Sequence, residues 1–138
     1  MGDLRTARNT FYCFAVLRDL SGDIAEGPGF NVFAHADGRW LTPDRGTLAG
    51  ITRRSVIELA RDAGHRVEEG RLSADDLHRA AVVLVTSTAG GVMPVTVIDG
   101  KPVGPGAPGP LTSQLRDRYW ASHQDPRYST AVRYDEPD

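Results

Sequence analysis

Lysine is almost absent from this chain: of sixteen basic residues, fifteen are arginine and one is Lys101. Chemistry that needs a lysine amine has a single candidate within these 138 residues. Cysteine is equally scarce. Cys13 has no second cysteine to pair with, and no Cys/His cluster has zinc spacing, so neither an internal disulfide nor a metal is expected. No apolar run approaches the ~20 residues of a membrane span, and the start, Met1-Gly-Asp-Leu-Arg5, lacks the apolar stretch of a secretory signal. An excess of one charge is missing too. A net charge of −2 gives neither nucleic acid nor an anionic membrane a reason to bind. The cytoplasm is the expected compartment.

What is present is ordinary for a globular protein. The chain is 40% apolar and 25% charged. Its length suits one domain over residues 1–138, able to bury roughly two-thirds of the unfolded chain's surface. Residues 1–10 read as polar and irregular, and Phe11 to Leu17 as a buried strand. Phe30 to Ala34 alternates, with Phe30, Val32 and Ala34 on one face. Asp37-Gly38 is a two-residue hairpin signal and Arg39 to Thr42 the return strand. A helix is predicted over Thr52 to Ala63, with an Arg54–Glu58 pair on its surface and Gly64 just past its end. Arg66 to Leu72 reads as a strand, and Ser73 with Asp76 starts a short helix to about Arg79. Val82 to Val85 and Met93 to Ile98 read as strands, the second ending at Asp99-Gly100. Leu111 to His123 reads as a second long helix, and 124–138 as a polar tail. Strands alternating with helices, with hairpins mixed in, predict an α/β fold with a mixed sheet.

Three segments could hold a phosphorylated, ring-bearing ligand. In Leu48-Ala-Gly-Ile-Thr-Arg53, Gly50 precedes a threonine at a helix start. The first turn of a helix has unpaired N–H groups and the positive end of the macrodipole, so it can seat a phosphate. In Thr86-Ser-Thr-Ala-Gly-Gly91, a buried strand ends in hydroxyls and small residues; Thr88 and the amides of Thr88 and Ala89 offer donors to a phosphate or a carboxylate. In Glu26-Gly-Pro-Gly-Phe-Asn31, glycines clear space for a flat ring beside Glu26. A carboxylate facing a pyridine nitrogen keeps that nitrogen protonated and makes the ring an electron sink. Each segment also has a plainer reading: a capping threonine, a tight turn joining two strands, and a solvated surface glutamate.

Taken together, and in order, these phrases resemble the class IV (fold-type IV) pyridoxal-phosphate aminotransferases. Ile24-Ala-Glu-Gly-Pro-Gly-Phe-Asn-Val-Phe33, Leu41-Thr-Pro43, Leu48 to Arg53, Ser55 to Ala60 and Thr86 to Pro94 carry the likeness, from about Asp19 to Tyr119. The branched-chain and (R)-amine branches are the most similar. The resemblance implies the α/β large domain of D-amino acid aminotransferase-like enzymes, cytoplasmic and homodimeric. It implies pyridoxal 5'-phosphate as cofactor, with an amino acid or amine and a 2-oxo acid as substrates. Glu26 would face the pyridine nitrogen. Leu48, Gly50, Ile51, Thr52 and Thr88 would hold the phosphate, and Thr88 and Ala89 the substrate carboxylate.

The family's reaction also needs a Schiff-base lysine, which the resemblance puts before Met1, with the small N-terminal domain. Lys101 lies in Asp99-Gly-Lys-Pro102, a hairpin tip with nothing nearby to desolvate an amine. No catalytic residue is therefore assigned. The expectation is a large domain that binds cofactor without covalent attachment and is inactive alone, as a truncated or split aminotransferase. It would work as a homo-oligomer or with an N-terminal half. The alternatives are a non-catalytic phosphate-binding module and an assembly partner of a full-length relative.

Overall fold

The computed structural model describes residues 2–4 and 14–134. The expected strand residues Phe11 to Cys13 and the end of the tail, 135–138, lie outside the described residues. Among the described residues the order is β1 (Gly2–Leu4), β2 (Phe14–Val16), β3 (Asn31–Ala36), β4 (Arg39–Thr42), α1 (Ile51–Asp62), β5 (Arg66–Glu69), α2 (Ala74–Arg79), β6 (Val82–Ser87), β7 (Gly91–Val95), β8 (Val97–Ile98), β9 (Lys101–Pro102) and α3 (Pro110–Ser122).

The main sheet is mixed, as expected. Its order is β5-β4-β3-β6-β7; β4 and β5 run parallel and the other neighbours antiparallel. Alternation along β3 and β6 sends side chains to two cores. Val32, Ala34, Val83 and Val85 face a core completed by Val16, Ile24, Leu77, Ile98 and Val103. Phe33 and Leu84 face the other, with Trp40, Val56, Ile57, Leu59, Ala60, Leu115 and Tyr119. The sheet thus has α1 and α3 on one side, and α2 with the β2 and β8–β9 segments on the other.

The local signals act as their chemistry requires. Asp37 and Gly38 both take positive φ, 51° and 72°, which suits a two-residue hairpin. Gly64 at φ 84° ends α1, its N–H donating to the Arg61 carbonyl while that of His65 reaches Ala60, which is the Schellman pattern. Ser73 and Asp76 cap each other at the start of α2.

Four expectations are corrected. Gly2–Leu4 is a strand paired with β2, not irregular chain. The strand foreseen over Met93 to Ile98 is two: β7 leaves the sheet after Val95, and β8 pairs with β9 around Asp99-Gly100. The break falls at Thr96, whose carbonyl accepts from Val103 N–H. β5 stops at Glu69: Gly70 N–H donates to the Thr42 carbonyl and closes the last parallel pair, and the partner strand β4 ends there, before Pro43. Arg54 and Glu58 are both exposed and form no ion pair, since water solvates two charges on an open helix face at little cost.

Candidate functional site

Glu26 sits in the turn that leads into β3, and three donors fix its carboxylate. Asn31 Nδ2 lies 3.0 Å from Glu26 Oε2, the Thr47 hydroxyl 3.0 Å and the Leu48 N–H 2.7 Å. All three fall on Oε2, so Oε1 keeps its lone pairs for a ligand. Asn31 also reaches Thr47 Oγ1 at 2.9 Å and the Leu48 carbonyl at 3.0 Å. One side-chain amide thereby joins the glutamate turn to the loop before α1.

α1 begins beside this network. Gly50 is its N-cap, no side chain caps it, and no acidic residue occupies its first turn. The first-turn amides of Ile51, Thr52 and Arg53 are left for an anion, with the helix dipole reinforcing them. Gly50 has to be glycine for space, not conformation: its φ is −60°, but a Cβ there would lie 2.3 Å from Asn31 Oδ1. Arg53 is buried and anchors the turn from behind, donating to Thr42 Oγ1 at 3.2 Å and to the Pro43 carbonyl at 2.9 Å, and pairing with Glu69 at 3.1 Å. Thr52 is buried, with its Oγ1 3.5 Å from the Tyr119 hydroxyl of α3.

A cleft of about 220 Å³ lies between these elements and the β6–β7 turn. Glu26, Leu48, Gly50, Ile51, Thr52 and Thr88 all line it, so the structure brings those six residues to one hollow. Ala89 stands next to Thr88 in the turn, exposed, and is not among the lining residues. The sequence reading gave no individual role to Asn31, Thr47 or Thr86. Asn31 and Thr86 line the cleft as well, and Thr47 holds Glu26. Asn31 closes the segment Glu26-Gly-Pro-Gly-Phe-Asn31, but nothing in that segment signals a bond to a residue sixteen positions away.

Three buried side-chain polar atoms among the described residues have no partner: Trp40 Nε1, Thr86 Oγ1 and Thr112 Oγ1. Of these three, Thr86 lines this cleft. A carboxylate oxygen at one end, open helix amides and a buried free hydroxyl fit a ligand with a ring nitrogen and a phosphate. A second cleft, of about 240 Å³, holds Asp19, Asp23, Asp44, Arg45 and Arg71. Arg71 is bound there to Asp23 at 2.6 Å, the Asp19 carboxylate accepts from the Ser21 and Asp23 N–H groups, and no helix residue lines this cleft. Lys101 is exposed on β9 and lines neither cleft. No cluster of metal-ligating side chains exists among the described residues, and no helix there is long and apolar enough to cross a membrane.

Comparison with known proteins gives a consistent picture. Residues 3–98 match the family described as amino-transferase class IV. The branched-chain-amino-acid aminotransferase of Pseudomonas aeruginosa is 36% identical over 107 residues, covering 77% of this chain and 35% of that protein. Among solved structures, the branched-chain amino acid aminotransferase from Thermobaculum terrenum in its PLP form superposes with a TM-score of 0.77 at 38% identity, over 83% of this chain and 39% of that one. The branched-chain amino acid aminotransferase from Escherichia coli gives 0.71 at 32% identity, over 88% and 40%. The chain thus spans between a third and two-fifths of the length of the relatives it matches.

Proposed function

This chain belongs to the class IV aminotransferases, and from that premise we propose that its cleft binds pyridoxal 5'-phosphate for amino-group transfer of the branched-chain type, with the reactive amine supplied from outside these 138 residues. The observation that carries the reading is the shared hollow: Glu26 Oε1 at one end and the uncapped N-terminus of α1 at the other. When bound, this cofactor supplies a pyridine ring that takes up the electron pair released at a substrate's Cα.

The residues of this chain bind and orient. Glu26, held by Asn31, Thr47 and Leu48, presents Oε1 to the ring nitrogen and holds a proton there. Ile51 and Thr52 donate their amides to the phosphate, and Thr88 adds a donor from the facing turn. Thr88 and Ala89 offer the substrate carboxylate its seat. Gly50 lets the backbone approach closely enough for all of this.

The amine is the part these residues do not bring to the site. Lys101 is solvated on a separate two-stranded sheet. Leu48 and Ile51, 72% and 74% exposed, form an apolar lip beside the cleft. A lysine-bearing polypeptide packed over that lip would complete the site and cover it. The position of Lys101 also favours a second reading, a phosphate-ester-binding module without transfer activity.

One assay separates them. The chain is mixed with cofactor, a branched-chain amino acid and a 2-oxo acid, with and without an N-terminal fragment of a branched-chain aminotransferase that carries its lysine as well as its small domain. No transfer alone and transfer after addition is the expected result. Transfer by the chain alone would contradict the placement of the amine, and none in either mixture would leave the binding module.

A further inference from the structure

The Thr86 hydroxyl is buried without a partner at the edge of the cleft, and neither the fold nor the roles assigned above account for it. Its place is well defined. Thr86 pairs with Asn31 across β6 and β3, so the two side chains leave the sheet on the same side. On that side, Leu84 and Phe33 pack under Val56 and Ala60 of α1. Asn31 in turn lies against Gly50, the N-cap of α1. Thr86 therefore stands beneath the entrance of α1, on the sheet side of the same hollow that the helix amides face.

The other hydroxyls lining the cleft differ from it. Ser87 Oγ accepts from Gly90 N–H at 2.9 Å and holds the β6–β7 turn. Thr52 Oγ1 has the Tyr119 hydroxyl nearby. Thr88 is exposed at the rim, where water serves it. Thr86 is only 1% exposed and is left with an unused donor. A buried donor without an acceptor is costly, and such groups in folded proteins usually meet a ligand or an ordered water.

We propose that Thr86 is a phosphate-binding residue whose Oγ–H donates to an oxygen of the phosphate ester seated at the N-terminus of α1, from the side opposite the helix amides. The inference rests on the cofactor reading above and extends it to a residue that reading did not use. Valine has nearly the shape of threonine and removes only the hydroxyl. Its effects on binding and on stability should therefore have different signs.

The test compares wild type, Thr86→Val, Thr86→Ala and Thr86→Ser by equilibrium titration with pyridoxamine 5'-phosphate, inorganic phosphate and pyridoxamine. The first probe has no aldehyde to react with surface amines. Thr86→Val and Thr86→Ala are expected to weaken binding of both phosphate-bearing probes by about tenfold or more, as for the loss of one hydrogen bond to a charged group. Thr86→Ser is expected to retain it. Affinity for pyridoxamine should not change, and the unliganded melting temperature of Thr86→Val should equal or exceed that of wild type. Undiminished phosphate affinity in Thr86→Val and Thr86→Ala, or an equal loss for pyridoxamine, overturns the assignment. Thr88→Val, which removes a hydroxyl at the rim of the same cleft, serves as the control. If it weakens binding and the Thr86 variants do not, the inference falls and the cofactor reading stands. If wild type does not bind pyridoxamine 5'-phosphate, both fall.

Discussion

Asn31 Nδ2 donates to Glu26 Oε2 at 3.0 Å and lies at the same distance from the Leu48 carbonyl. This amide sets the distance between the carboxylate end of the cleft and its helix end. Replacing it should damage fold and binding together. Asn31→Ala is expected to lower stability by about 1–3 kcal/mol, because the partly buried Glu26 and Thr47 lose their donor. Affinity for pyridoxamine 5'-phosphate should fall as well. Urea unfolding and a ligand titration on one sample check both.

Gly50→Ala tests close approach separately from conformation. Alanine accepts φ −60° and ψ 138°, so the backbone is not strained. The added methyl would lie 2.3 Å from Asn31 Oδ1 and force that side chain to move. A loss of about 1–3 kcal/mol is expected from overpacking. In the double variant with Asn31→Ala the loss should be smaller than the sum of the two, because the clash has gone. Additive losses in urea would place the strain elsewhere.

Much of this fold was legible in the residues, and the reason is locality. α1 begins one residue from its expected start, β4 matches residue for residue, and the Ser73–Asp76 cap forms as read. Each rests on signals within a few positions of each other. What was not legible depends on distant partners. Gly2–Leu4 becomes a strand because β2 pairs with it, and the break at Thr96 depends on Val103. The site divides in the same way. Glu26, Gly50, Thr52 and Thr88 belong to recognisable phrases. The roles of Asn31, Thr47 and Thr86 arise from a cross-strand register and from a bond to a residue sixteen positions away, which no local pattern encodes.

His35 makes stability depend on pH near neutrality. Its pKa is lowered, first by burial and second by the nearby His65, and its ring meets Trp40 edge-on at 4.9 Å. The unfolded chain therefore binds a proton more readily than the folded one. The contribution is full above the ordinary histidine range and is lost as pH falls through it. Urea midpoints measured from pH 8 to pH 5 should decline below about pH 6.5, and His35→Gln should flatten that decline.

The α2 cap acts at lower pH. Hydrogen bonding from Ser73 holds the Asp76 carboxyl below the usual aspartate range, with Arg79 adding to it. This contribution is present above that range and disappears as pH falls through the lowered value. Ser73→Ala should cost about 1 kcal/mol at neutral pH. It should also show a shallower stability loss on acidification than wild type, as read by thermal unfolding across the acid range.

The most direct measurement is an equilibrium titration of the chain with pyridoxal 5'-phosphate, followed by the absorbance of the ring, in wild type, Glu26→Gln, Gly50→Ala and Thr88→Val. Saturable binding at one site is expected, weakened about tenfold, or about 1.4 kcal/mol, by each substitution. Failure to saturate, or a wild-type affinity that none of the three substitutions changes, would contradict a common seat for ring and phosphate.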